Sequence, residues 1–280
     1  MLGPAARVLR RQVADRHLSL RRVRPCLRAR PAGVRLPLEP IVSQQPEKEN
    51  PAGDSHPVDV PEREYQPEPG WRLRTLKDWL RYGADDFRRY RARWNGVRGW
   101  LTDAEAAWLF DAARRPTVAG DIVEIGSAYG RSTVCLAWGV RRCGQGHVWA
   151  VDPHTGGRKF RDKLGQAAGQ FTSLDGFRAN LRRFGLQSLV TPVVKTSEQA
   201  LRDWEGRPIR LLFVDGWHTY EAVRADIAGW GRLVVSGGWI AAHDYQQEAV
   251  QRAMADALVD LGLPAGTPLQ RAGNIAAFAR

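Results

Sequence analysis

The run DIVEIGSAYGRST, residues 121–133, constrains the fold more than any other stretch of the chain. Ile122, Val123 and Ile125 form a short β-branched apolar run, the pattern of a parallel strand buried on both faces. Glu124 interrupts it and Gly126 ends it. Ser127, Ala128 and Tyr129 lead through a tight turn to Gly130. Arg131 to Trp138 then continues as an almost wholly apolar helix, which neighbours must cover on most sides. A strand entering a helix through a glycine-bearing turn is the cofactor corner of a doubly wound sheet. Glycine lets a ligand approach bare backbone, and the helix N-terminus offers unpaired N–H groups to an anion. The dinucleotide fingerprint G-x-G-x-x-G/A fails at its third position, where Arg131 stands. The run fits Glu-x-Gly-x-x-x-Gly instead, on Glu124, Gly126 and Gly130.

The rest of the chain repeats the strand–helix alternation. Gly146 to Asp152 is a second buried strand ending in an acid, which in such a sheet can accept bonds from both ribose hydroxyls. A long, glycine-rich, basic connection follows, from Pro153 to Gly169, with His154, Arg158, Lys159, Arg161 and Lys163. Long connections at this end of a sheet carry function. Thr172 opens a helix with a buried stripe at Leu174, Phe177, Leu181 and Phe184, stopped by Gly185. Leu189–Val194 is a third strand, with Lys195, Thr196 and Ser197 at its carboxyl end and a short helix from Glu198 to Trp204. Ile209–Val214 is a fourth, ending in Asp215-Gly216-Trp217-His218. A helix from Thr219 to Trp230 carries Tyr220, Val223, Ile227 and Trp230 on one side. Gly237–Ala242 is a fifth strand, ending in His243-Asp244-Tyr245, and Gln247–Leu261 is the next helix. Pro268–Ala272 and Asn274–Ala279 form a closing hairpin around Gly273-Asn274. The expected fold is α/β: a doubly wound, mostly parallel, seven-stranded Rossmann-like sheet with an antiparallel terminal hairpin strand.

Upstream, Thr102 and Glu105 make a capping box, with Leu101 as its staple. The helix from Asp103 to Arg114 presents Ala106, Leu109, Phe110 and Ala113 inward. Before it, Leu73, Leu76, Trp79, Leu80, Phe87 and Tyr90 share one helical face, broken near Gly83. Residues 71–115 are therefore a helical lid or oligomerisation segment, and residues 116–280 the main domain. Residues 37–70 hold eight of the 17 prolines among Glu, Asp and Ser, the composition of a linker. Residues 1–36 hold ten arginines against Asp15 alone, which is +9 of the formal +12. That basic stretch fits a disordered tail, a transit peptide or a nucleic-acid-binding arm. Cys26, Cys135 and Cys143 form no CxxC pair, which points to a reducing, cytoplasmic setting. No apolar run approaches the ~20 residues of a membrane span.

From about Gly99 onward the chain resembles the class I S-adenosylmethionine-dependent methyltransferases of the bacterial sugar and macrolide O-methyltransferase type, related to macrocin O-methyltransferase and cephalosporin hydroxylase-like proteins. The resemblance rests on GWLTDAEAAWL, VEIGSAYGRST, AVDPHTG, the run from Thr172 to Leu181, and LLFVDGWHTYEAVRADIAGW followed by GGWIAAHDY. It implies S-adenosyl-L-methionine as cofactor. Glu124 and Gly126 would line its methionine end, Ser127, Arg131 and Ser132 would meet its carboxylate or nearby backbone, and Gly130 would also be a cofactor-binding residue. Asp152 would hold the ribose hydroxyls, and Ser197 would lie near the adenine. Asp215 and Asp244 would hold a divalent metal, Mg²⁺ or Mn²⁺, in relatives that use one. Here Asp215-Gly216-Trp217 stands where some relatives have Asp-Gly-Asp, and His243-Asp244 where some have two adjacent acids, so metal dependence is an open point.

Methyl transfer from a sulfonium is an in-line displacement, and most of its acceleration can come from alignment. A hydroxyl acceptor also needs its proton removed or its oxygen polarised. His218 is the expected general base, with Asp215 and His243 as further catalytic candidates, since an imidazole near its ordinary ~6.5 works at neutral pH. The expected acceptor is a hydroxylated small molecule, a sugar or secondary metabolite, and homo-oligomerisation is left open. Two alternatives stand beside this: a nucleic-acid methyltransferase guided by the basic tail, and a NAD-linked or purely cofactor-binding protein. The place after the fourth strand lacks the Asn/Asp-Pro-Pro-aromatic motif of base-amino methylases, which disfavours nucleic acid.

Overall fold

The computed structural model describes residues 62–64, 94, 96–156, 172–264 and 266–280. The basic N-terminal stretch, most of the proline-rich one, the helix expected between residues 71 and 90, and most of the basic connection after Pro153 lie outside the described residues. A single eight-stranded sheet is built from β1 (Glu62–Glu64), β2 (Asp121–Ile125), β3 (Val148–Val151), β4 (Val190–Val193), β5 (Ile209–Val214), β6 (Val234–Ala242), β7 (Leu269–Ala272) and β8 (Ile275–Ala279). Its order is β1-β7-β8-β6-β5-β2-β3-β4. The seven strands expected from the sequence are all present. β8 alone runs antiparallel, wedged between β6 and β7 by the turn at Gly273-Asn274.

β1 was not expected. It pairs in parallel with β7 at the sheet edge, from within the proline-rich stretch taken as linker. Glu62–Glu64 has no apolar alternation, so periodicity could not mark it; only an unpaired neighbour's N–H and C=O groups recruit such a segment. β6 also starts at Val234, three residues before Gly237, because Val234 pairs with Ile209 across an irregularity in the ladder.

Among the described residues six helices cover the sheet, three to each face: α1 (Asp103–Arg114), α2 (Arg131–Cys143), α3 (Leu174–Phe184), α4 (Ser197–Arg202), α5 (Tyr220–Gly231) and α6 (Glu248–Asp260). Ile122, Leu211, Phe213 and Ala241 point into one core with Leu109, Phe110, Val134, Leu136, Phe177 and Leu181 from α1 to α3. Val123, Ile125, Leu212, Val214 and Ile240 point into the other, with Ala200, Ile227, Trp230, Val250 and Met254 from α4 to α6. The period-2 alternation of β2 and β5 thus feeds two cores, which is why these strands look continuously apolar.

The capping box forms as expected: Glu105 N–H donates to Thr102 Oγ1, and Thr102 N–H to Glu105 Oε2 at 2.6 Å. All four residues expected inward on α1 are buried. α1 packs closely on α2; a Cβ on Gly139 would meet Ala113 Cβ at 2.5 Å.

Candidate active site

The registers of four parallel strands line up one row of residues. Ile125 pairs with Val151 of β3 and Val214 of β5, and Val214 with Ala242 of β6. The next residue on each strand is therefore Asp152, Gly126, Asp215 and His243, side by side at the carboxyl edge. Backbone bonds continue the ladder into the row: Gly126 N–H to Val151 O at 2.9 Å, Asp215 N–H to Ile125 O at 2.8 Å, and His243 N–H to Val214 O at 2.9 Å. From β2 the chain moves outward to β3 and β4 and then returns to β5, so the row spans the switch point where such sheets bind ligands.

Gly126 sits at φ 88° against Asp215, and a Cβ there would lie 2.2 Å from the Asp215 carbonyl oxygen. Gly130 caps α2 at φ 85° with no side chain over the first turn, leaving that end's N–H groups to an anion. Asp152 Oδ2 accepts the N–H groups of Ser127 at 2.9 Å and Ala128 at 2.8 Å. Its Oδ1 accepts the N–H of His154 at 2.6 Å. A carboxylate has about four acceptor positions, so with three taken this one keeps about one for a hydroxyl while holding the turn.

Beneath the turn Glu124 is fully buried and accepts from Ser132 and Thr133 hydroxyls. Burial outweighs those bonds and pushes its carboxyl up to about 7.

At the other end of the row, ligand atoms of Asp215, His218 and Asp244 lie within 4.8 Å of one another. His218 Nδ1 is 3.1 Å from Asp244 Oδ2, and its side chain is 42% exposed. His243 is buried at 6% exposure. Its Nδ1 lies 3.4 Å from Asp215 and 3.3 Å from Asp244, and its Nε2 is 3.5 Å from Glu105 of α1. Burial disfavours the charged ring, but these three carboxylates outweigh it and push His243 up to about 12. The distances are long and neither nitrogen meets hydrogen-bond geometry, so the attraction is ionic. The same pairing holds Asp244 well below the usual carboxylate range.

Residues 123–245 match a family model described as a methyltransferase domain. That stretch is similar to methyltransferase domains over 123 of the 280 residues. Among solved structures the O-methyltransferase NovP superposes with a TM-score of 0.55 at 16% identity, over 68% of this chain and 87% of that one. A protein from Corynebacterium glutamicum superposes with a TM-score of 0.50 at 14% identity, over 74% of this chain and 96% of that one. Both likenesses are of fold.

Within residues 123–245, most residues singled out in the sequence converge on one edge. Gly126, Ser127, Gly130 and Asp152 form one cluster and Asp215, His218, His243 and Asp244 another. Three others differ in their surroundings. The Arg131 guanidinium donates to the carbonyls of Val97 and Leu101 and stacks 4.4 Å from the Trp94 ring centroid, so it pins the segment before α1. Ser132 is turned to Glu124 beneath the turn. The Ser197 hydroxyl donates to Asp226 and accepts from Trp230 Nε1, joining α4 to α5. His243 lies buried among Asp215, Asp244 and Glu105, whose carboxylates favour its charged ring. It is an internal counter-ion for Asp215 and Asp244.

Sequence reasoning missed Glu105 as part of this cluster. Its capping role explained it fully, yet Oε1 also accepts the Asn274 N–H at 2.8 Å. A signal existed in retrospect: a capping glutamate that is 1% exposed has a partner besides its own helix.

Proposed function

We propose that the chain is an S-adenosylmethionine-dependent O-methyltransferase acting on a hydroxylated small molecule. The observation that carries this is the row Asp152–Gly126–Asp215–His243, which sets a bare turn and a ribose-suited acid beside a carboxylate–imidazole cluster. Gly126, Ser127 and the uncapped start of α2 would receive the methionine end, and Asp152 the ribose. This stations the sulfonium methyl toward Asp215, His218 and Asp244.

His218 is the base in this reading. Its Nδ1 faces Asp244 Oδ2 at 3.1 Å, which favours the proton on Nδ1 and leaves the Nε2 lone pair for the acceptor hydroxyl. The acceptor oxygen then attacks the methyl carbon as the sulfur–carbon bond breaks, giving a methyl ether and S-adenosylhomocysteine. Trp217, 62% exposed beside His218, offers a flat apolar face to the acceptor.

Asp215, Asp244 and His218 also fit a hard divalent ion such as Mg²⁺ or Mn²⁺, by donor type and spacing. When bound, such an ion polarises an acceptor oxygen. His243 already shares both carboxylates, so the charge such an ion would balance is partly met from within. A sugar or secondary metabolite as acceptor and a cytoplasmic setting complete the proposal; among the described residues Cys135 and Cys143 stand in no disulfide. Among the described residues no helix is long and apolar enough to cross a membrane.

The test is transfer of labelled methyl from S-adenosylmethionine into a metabolite extract, with wild type and His218→Ala. Wild type is expected to label a small hydroxylated product. His218→Ala is expected to lose about 100-fold or more of the rate with unchanged S-adenosylhomocysteine affinity. Labelling of nucleic acid alone, or full activity in His218→Ala, contradicts it. Chelator treatment followed by Mg²⁺ or Mn²⁺ is expected to leave at least a tenth of the activity before add-back, because His243 and His218 act without the ion; complete loss restored by metal assigns His218 to the ion instead.

A further inference from the structure

His154 stands two residues beyond β3 with φ at 57°, a left-handed conformation that side-chain-bearing residues avoid. It is 1% exposed. Three contacts hold it there. Ser173 donates its N–H to the His154 carbonyl at 3.1 Å. Ser173 Oγ and His154 Nδ1 lie 2.8 Å apart. The imidazole packs on Phe177 of α3, with ring centroids 5.2 Å apart. Burial holds the ring below its ordinary pKa, so it stays neutral and adds no charge beside the carboxylate.

That strained conformation aims the His154 N–H at Asp152 Oδ1, at 2.6 Å. The opposite oxygen is held by Ser127 and Ala128. The carboxylate is thus fixed from two sides, by the glycine turn on one and by His154 on the other. Pro153 between them adds a fixed φ and no competing N–H.

We propose that His154, anchored by Ser173, is a positioning residue that presets Asp152 for the donor's ribose, an inference resting on the donor site proposed above. A carboxylate held in one orientation accepts a ribose hydroxyl without losing rotamer freedom on binding. The ring is buried against Phe177, so the residue acts through its backbone N–H.

The experiment compares the Kd of S-adenosylhomocysteine with that of its 2′-deoxy analogue, by calorimetry on the full-length chain. The ratio isolates recognition of the ribose hydroxyl from general binding. Wild type is expected to favour the parent by about tenfold or more, as a charge-assisted bond implies. His154→Ala is expected to bring the ratio down to about two- to threefold, and Ser173→Ala to an intermediate value. Retention of the wild-type ratio in both variants overturns the inference, since general loss of structure weakens both ligands alike. If His154→Ala does not fold, Ser173→Ala, which leaves the ring in place, decides alone. A wild-type ratio near one, with Asp152→Ala binding the parent as wild type does, overturns the donor site itself and this inference with it.

Discussion

At the scale of single residues, the row of strand ends sorts ionisable groups by burial and partner. Glu124 and His243 are both buried, but Glu124 has only hydroxyl donors while His243 has three carboxylates. One is therefore pushed toward neutrality and the other toward charge. For Glu124 this links stability to pH. Its carboxyl is raised from 4.5 to about 7, so the folded chain holds the proton more tightly than the unfolded one. The contribution is complete below about pH 4.5 and is lost as pH rises toward 7, since there the unfolded chain ionises first. The gap corresponds to roughly 3 kcal/mol at most. Melting temperature measured from pH 4.5 to 8 is expected to fall more steeply in wild type than in Glu124→Gln. Parallel profiles contradict this assignment.

At the scale of elements, the β2–α2 turn and the β5–α5 loop are a single packed unit. Gly126 is the point where they meet, with no space for a methyl group against the Asp215 carbonyl. Gly126→Ala combines a left-handed φ with a backbone clash, and is expected to destabilise by about 3 kcal/mol or more in urea unfolding. Its loss of activity should exceed what the unfolded fraction explains, since Asp215 must shift. Stability within about 0.5 kcal/mol of wild type would show that the two loops are not in contact. What was legible at this scale follows from local rules. The strand–turn–helix of DIVEIGSAYGRST, the capping box of α1 and the hairpin at Gly273-Asn274 each depend on neighbours in sequence. β1 was not legible, because Glu62–Glu64 is a strand only through its pairing with β7.

At the scale of the molecule, the site is assembled from register rather than from any one motif. The strands supplying Asp152, Gly126, Asp215 and His243 are far apart in sequence, and parallel pairing alone makes them adjacent. The alternation of elements was enough to place these residues at one sheet edge, so their convergence could be read beforehand. Their protonation could not: Glu105 of α1 lies 3.5 Å from His243 Nε2, a partner that spacing does not reveal. Likewise Arg131 and Ser197 carried a family's expectation, while their side chains here fasten neighbouring segments. Side-chain direction depends on tertiary partners that spacing does not encode. The account's central claim is that the turn and Asp152 together hold an adenosyl donor. Calorimetric titration of S-adenosylhomocysteine into wild type and Asp152→Ala tests it most directly. Saturable one-to-one binding by wild type, weakened about tenfold or more in the variant, is the predicted result; no binding, or equal affinity in both proteins, contradicts it.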